Sequence, residues 1–400
     1  KSLMLVACAF KFFRMNFEGF QEPVMLRMAE LQLVSAQWRR FGESLEDQDL
    51  DFNSEPYDNF SVGVVNVEDN SQTNGSSSPY VLPPGVIRDQ DQTTSQVRGQ
   101  NEQSMLLKVS ELKDGDGRGV FKNMAIDMIN YEKLQMFVHA EAPNTTTQDG
   151  ETAIFVRMGT DNSEHYYEVE IPLVLSDVTS NDPNEVWRQE NWLDLNFSDL
   201  SALKVARNNQ GFDPNKTFAT TINNQTLKVK GNPDRSTVRT MMIGIRNPKD
   251  DGVSKAVTVW VNELRVTGFN EEMGFATTGN FNIQAADLLN WSGSMKYIGS
   301  NYGDIDNKIS ERSRSQQLQY GTAVNISLDK LLPEKWGFKI PLYTSYDKEL
   351  IIPDYNPLDP DVKTEDALEG IDNDAEREDL ENKIQYQKEM QILKMLILKL

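Results

Sequence analysis

The feature that most constrains this chain is a period of two in the hydrophobicity between residues 280 and 346. Asn280, Asn282 and Gln284 alternate with Phe281, Ile283 and Ala285. Trp291, Gly293, Met295 and Tyr297 alternate with Ser292, Ser294 and Lys296. Tyr320, Thr322, Val324, Ile326 and Leu328 alternate with Gly321, Ala323, Asn325 and Ser327. Phe338, Ile340, Leu342, Thr344 and Tyr346 mark one face of a fourth segment. Successive side chains of a strand point to opposite sides, so each segment predicts a strand with one apolar face and one small or polar face. Each is about the 9–11 residues that a strand needs to cross a bilayer. Aromatic residues fall at segment ends, where an interfacial girdle would place them. Phe281, Ile283, Trp291, Met295, Tyr297, Tyr320, Val324, Ile326, Leu328 and Trp336 are therefore the candidate lipid-facing or interfacial residues. A soluble antiparallel sheet with one wet face predicts the same alternation, and the pattern alone leaves both open. Four strands cannot close a membrane barrel, which takes about 8 or more. On the barrel reading, most of its strands lie outside this chain.

Residues 105–267 are also all-β in pattern, with many short strands punctuated by turn residues. Strands are expected at Met105–Val109, Leu134–Ala140, Ile154–Met158, His165–Ile171, Val238–Ile245 and Val257–Val266, with no long helix between them. That spacing argues for a β-sandwich or jelly roll. Phe60–Val67 reads as a further strand, and residues 30–40 lean to strand. Residues 68–104 are rich in Asp, Asn, Ser, Gln, Gly and Pro, cannot bury a core of their own, and predict an excursion over a surface. The expected organisation is a ragged segment at 1–15, a sandwich-like module at 16–268, membrane strands at 269–353, and an acidic loop with a helix from Asp374 to Glu389. The apolar tail from Met390 breaks the earlier patterns and reads as a ragged end.

The chain carries 40 Lys and Arg against 61 Asp and Glu, a net charge of −21, which repels phosphates and argues against a nucleic-acid partner. No run approaches the roughly 20 apolar residues of a spanning helix. One cysteine, Cys8, excludes an intrachain disulfide. Leu5-Val6-Ala7-Cys8 has the look of a lipoprotein box, but the apolar stretch before it is too short for an export signal.

Candidate chemistry is thin. His139 and His165 have no cysteine cluster to join them in a zinc site and are expected to be structural or exposed. Lys113-Asp114-Gly115-Asp116-Gly117 resembles the start of a calcium loop, but the twelfth position is Ala125, not Glu, so a turn is expected. Glu168 and Glu170 share a strand face as a glycosidase pair would, yet chance pairs are expected among 61 acidic residues. Tyr166, Tyr167, Trp187, Trp192 and Trp260 suit either a sugar cleft or a core. No phosphate loop of the G-x-x-x-x-G-K type occurs. No catalytic, cofactor or metal residues are assigned.

Several stretches in order carry a resemblance. They include Phe17-Glu18-Gly19-Phe20-Gln21-Glu22-Pro23, Tyr80-Val81-Leu82-Pro83-Pro84-Gly85, and Gly99-Gln100-Asn101-Glu102-Gln103-Ser104. Further on come Trp260-Val261-Asn262-Glu263-Leu264-Arg265, Leu331-Leu332-Pro333-Glu334-Lys335-Trp336-Gly337 and Asp354-Tyr355-Asn356-Pro357-Leu358-Asp359. Over roughly residues 16–385 the chain resembles the SprA/Sov family of type IX secretion and gliding motility, and looks like an internal fragment of one. The resemblance implies a giant outer-membrane barrel, non-enzymatic and without a cofactor. Secreted client proteins with C-terminal sorting domains would pass through it. Implied partners are a smaller outer-membrane barrel protein and a periplasmic plug protein. Residues 16–268 would then form part of an extracellular cap, and Leu331–Gly337 one turn between barrel strands. The alternative kept open is a soluble carbohydrate-binding module of the cell surface.

Overall fold

The computed structural model describes residues 38–42, 45, 59–72, 77–88, 90–91, 98–142, 146–304, 306, 311–369, 374–385 and 389–397. Cys8, the Phe17–Pro23 motif and most of the 30–40 segment lie outside these residues. The chain is mostly antiparallel strand with few helices, an all-β protein. No described helix is long and apolar enough to cross a membrane.

The strands are β1 (Phe60–Asn66), β2 (Gln103–Leu112), β3 (Gly117–Ile126), β4 (Tyr131–Glu141), β5 (Ala153–Gly159) and β6 (Tyr166–Pro172). Then come β7 (Leu193–Asn196), β8 (Phe218–Ile222), β9 (Gln225–Lys230), β10 (Val238–Arg246) and β11 (Lys255–Phe269). Arg39–Arg40, β3, β10, β5, β6, β9 and β8 make one sheet in that order; β7, β4, β11, β2 and β1 make the second. Alternate residues of both sheets meet in one core, with Val120, Val156, Val169, Val229 and Ile243 from the first and Leu107, Val138, Leu195 and Val259 from the second. Among the described residues seven strands face five, two packed antiparallel sheets.

The expected strands lie inside β2, β4, β5, β10 and β11, while β6 starts at Tyr166 and leaves His165 in the turn before it. The sequence pattern missed β3, β7, β8 and β9, and it missed a helix. Helix α1 (Phe197–Asn209) buries Phe197, Leu200, Ser201, Leu203, Lys204 and Arg207, a face built on spacings of three and four. Two of those six residues are cationic and one is a serine, so the stripe does not read as apolar. Lys204 meets Asp359, Asp361 and Pro233 O, and Arg207 meets Gly231 O and Asn232 as well as its neighbour Asn208.

Outer faces of the two sheets are covered as well. Phe41 and Leu45 pack with Phe121, Phe155 and Met242 on the outside of the seven-stranded sheet. On the other side, Tyr80, Val186 and Trp187 lie over Phe137 and Trp260. The polar excursion thus crosses a surface, but it is pinned. Tyr80 is buried, bonds through its hydroxyl to Ser104 at 2.8 Å, and accepts from Asn262 at 3.0 Å.

A third sheet follows. Its strands, in spatial and chain order, are β12 (Ala276–Ala285), β13 (Leu289–Ile298), β14 (Ser315–Ser327), β15 (Pro341–Pro353) and β16 (Glu389–Ile397). It is an up-and-down array, and among the described residues it does not close on itself. The tail read as a ragged end pairs with β15, Ile397 opposite Leu342 and Glu389 opposite Leu350. Its residues are apolar at both parities, so alternation could not reveal it and only backbone pairing does. The acidic segment between β15 and β16 holds a small hairpin (Tyr355–Asn356 with Asp359–Lys363) and the helices α2 (Thr364–Glu369) and α3 (Asp374–Gln385).

Candidate functional site

The register of the third sheet sorts its side chains into two faces. Ile283 pairs with Trp291, Trp291 with Val324, and Val324 with Thr344. Phe281 pairs with Gly293, Met295 with Tyr320, Tyr297 with Leu318, and Ile326 with Leu342. Directly paired residues share a face, so eight of the ten candidate residues lie on one side of one sheet. Phe281, Ile283, Trp291, Met295 and Tyr320 are 38–50 % exposed there. The Phe281 ring sits edge-on to Trp291, centroids 5.0 Å apart, and rests on Gly293, where a Cβ would collide with it. The one polar atom of Trp291, its indole N–H, donates to Thr322 Oγ1 at 2.8 Å. That leaves an aromatic surface with its donor satisfied inside the sheet.

The opposite face carries Asn280, Asn282, Ser292, Ser294, Ala323, Asn325 and Ser345, with Lys296, Asp347 and Glu349 towards one end. It is hollowed, with a depression of about 680 Å³ lined by Asn280, Asn282, Ser292, Ser294, Tyr343 and Ser345.

Two candidates fall outside the strands. Leu328 opens the turn between β14 and β15, its N–H donating to Ile340 O at 2.9 Å. Trp336 lies further into that turn, 60 % exposed and edge-on to Phe338 at 6.3 Å. Phe338 and Ile340 belong to this turn, because β15 begins only at Pro341 after Gly337 takes a left-handed φ of +66°. The fourth face therefore runs Leu342, Thr344, Tyr346, Lys348 and Leu350, with Lys348 opposite Tyr320.

The two ends of the array differ. The turns after β12 and β14 occupy residues 286–288 and 328–340. The connections at the other end occupy 299–314 and 354–388, and they meet the two-sheet module. There Asn270 N donates to Asn130 O at 2.8 Å, Arg314 pairs with Asp127, and Asp361 enters the module between α1 and β6.

Within the module the candidate chemical groups are occupied. Glu168 is buried, with Arg157 Nη2 at 2.7 Å, Arg246 Nη1 at 2.7 Å and Lys228 Nζ at 3.4 Å. Burial alone would raise its carboxyl; Arg246, Arg157 and Lys228 together outweigh that and hold it far below the usual carboxylate range. Glu170 shares the Arg246 and Lys228 contacts at 2.5 and 2.9 Å. A carboxyl held this firmly ionised cannot donate a proton near neutrality, so Glu168 does not suit the acid role of glycoside hydrolysis. His139 is buried, its Nδ1 2.7 Å from Val186 O and its Nε2 3.4 Å from Glu141. The exposed His165 accepts from Asn232 N at 3.0 Å. Tyr166, Tyr167, Trp187 and Trp260 are buried, so they line no sugar cleft, whereas Trp192 is half-buried and lines a small cleft with Phe137, Glu263 and Arg265. Asp114, Asp250 and Asp251 bring carboxylates within 4.8 Å of one another, and Asp250 N donates to Asp114 at 3.0 Å. That cluster sits on exposed loops and carries no metal assignment.

A two-faced antiparallel array joined to a twin-sheet module defines a β-class protein with a broad apolar face that is unpartnered among the described residues. The family of motility-related and secretion proteins whose SprA N-terminal model matches residues 7–368 is the one to which this chain belongs. Comparison with curated proteins gave no match.

Proposed function

We propose that the chain supplies part of the wall and the external cap of an outer-membrane protein-conducting translocon of type IX secretion, one that exports folded client proteins to the cell surface. The observation that carries this reading is the third sheet. Its strands are long enough to cross a bilayer, its apolar aromatic face is exposed, and its polar face is hollowed. An exposed aromatic face of this extent needs a partner, and lipid suits a face whose only indole donor is already bonded. The amides, hydroxyls and charged groups opposite, Asp347 among those lining the depression, suit a wet lumen. Long connections at the module end and shorter turns at the other match extracellular and periplasmic sides. The module is then the cap, and Trp336 lies at the periplasmic interface.

The role is passive and non-enzymatic. Strands beyond this chain complete the barrel, clients with C-terminal sorting domains pass through it, and a smaller outer-membrane barrel protein and a periplasmic plug protein serve as partners. Fractionation of the native protein tests the reading, with protease added to intact cells. Recovery in the outer membrane, with cleavage at 68–104 or 176–235, is expected. Recovery in the soluble fraction overturns it and favours a carbohydrate-binding surface module.

A further inference from the structure

Asp361 is a buried aspartate in the hairpin that follows β15, yet all its partners belong to the cap. Lys204 Nζ donates to its Oδ1 at 2.9 Å and the Tyr167 hydroxyl to its Oδ2 at 2.7 Å. Its main-chain oxygen accepts from Arg235 Nη2 at 2.7 Å and from Ser201 Oγ at 3.2 Å. Lys204 reaches Asp359 as well, at 3.0 Å, and Asn208 Nδ2 donates to Asp359 at the same distance. Lys204, Tyr167 and Asp361 are each about 1 % exposed. A lysine sunk that deep needs its counter-charge. The array, 157 residues along the chain from Lys204, supplies it.

The placement of this contact matters. The cap is covalently joined to the array through residues 270–275, at the edge strand β12. Asp361 joins it again beyond β15, three strands away, or about 14 Å at the usual strand spacing. The Arg314–Asp127 pair lies at the start of β14, between them. A body tethered at one edge can swing, but a body pinned at both sides of the same rim cannot.

We propose that Asp361 is a latch that fixes the cap to the rim as a stationary roof, so that a client leaves without the cap lifting. This rests on the translocon reading for its consequence, but not for the latch itself. Two measurements separate the parts. In the detergent-solubilised protein, Asp361→Ala is expected to speed amide exchange at least tenfold in 197–209 and 359–369, with near-UV circular dichroism and exchange in 276–298 unchanged. Unchanged exchange at 197–209 overturns the latch, whether or not the protein exports anything. In exporting cells, Asn208→Cys with Asp359→Cys, in a background where Cys8 and any other cysteine of the protein are replaced by Ser, is joined by a short bismaleimide. Export within twofold of the unlinked protein is expected. A drop of tenfold or more on linking shows that the cap must lift and overturns the stationary roof. Failure of the unlinked protein to export condemns the translocon reading instead, and the exchange result still decides the latch.

Discussion

Replacing Glu168 by Gln keeps its shape and removes one charge from a buried ionic cluster. In the native protein Arg157, Arg246 and Lys228 face Glu168 and Glu170, three cations to two carboxylates. In the variant the same three cations face Glu170 alone. Removing one partner of a buried ion pair destabilises by about 3–5 kcal/mol, because the remaining charge is left without compensation. Each kcal/mol shifts the midpoint by about 2–4 °C for a module of this size, so a loss of roughly 6–20 °C is expected. The assay is thermal unfolding by near-UV circular dichroism, with the buried Trp187 and Trp260 as reporters.

The effect has a defined pH dependence. The folded Glu168 carboxyl sits far below its unfolded value, so its stabilisation is fully present above about pH 4.3 and is lost as pH falls toward the folded value. The gap between native protein and variant should be flat from pH 5 to 8. It should then shrink by about 1.4 kcal/mol per unit below about pH 4.3. A midpoint change under 3 °C, or a gap that persists undiminished to pH 3, refutes the argument. Combining Glu168→Gln with Lys228→Met restores the balance and should recover part of the loss.

Other consequences follow from the two faces and the packing. Ile283→Lys on the apolar face should destabilise the membrane-inserted protein by about 2–4 kcal/mol, while Asn282→Lys on the polar face should not; equal effects in denaturant titration would mean that neither face meets lipid. Gly244→Ala places a methyl against the Phe155 ring and the Arg118 carbonyl, and should lower stability by about 1–3 kcal/mol in the same titration. Expressed alone, residues 276–353 should aggregate through their open strand edges; a soluble monomer on gel filtration counts against an incomplete barrel.

The period of two in 280–346 determined most of what could be read in advance. Once Phe281, Ile283, Trp291 and Val324 alternate with small and polar neighbours, side-chain direction follows from strand geometry, and the observed pairing adds only the register that aligns them. The tertiary structure decided whatever depends on contacts across the chain. Helix α1 was hidden because Lys204 and Arg207 occupy its buried face, which is possible only with Asp361 and Gly231 O brought to them from elsewhere. Strand β16 was hidden because apolar residues fall at both parities of its sequence, and it is its backbone pairing with β15 that reveals it. The carboxylates of Glu168 and Glu170 were visible as a pair, but their character was not. Three cations from three other strands settle it, and no local spacing encodes contacts between residues 11 to 78 positions apart. Local alternation writes the direction of a side chain into the sequence, while the partner it meets is set by the fold.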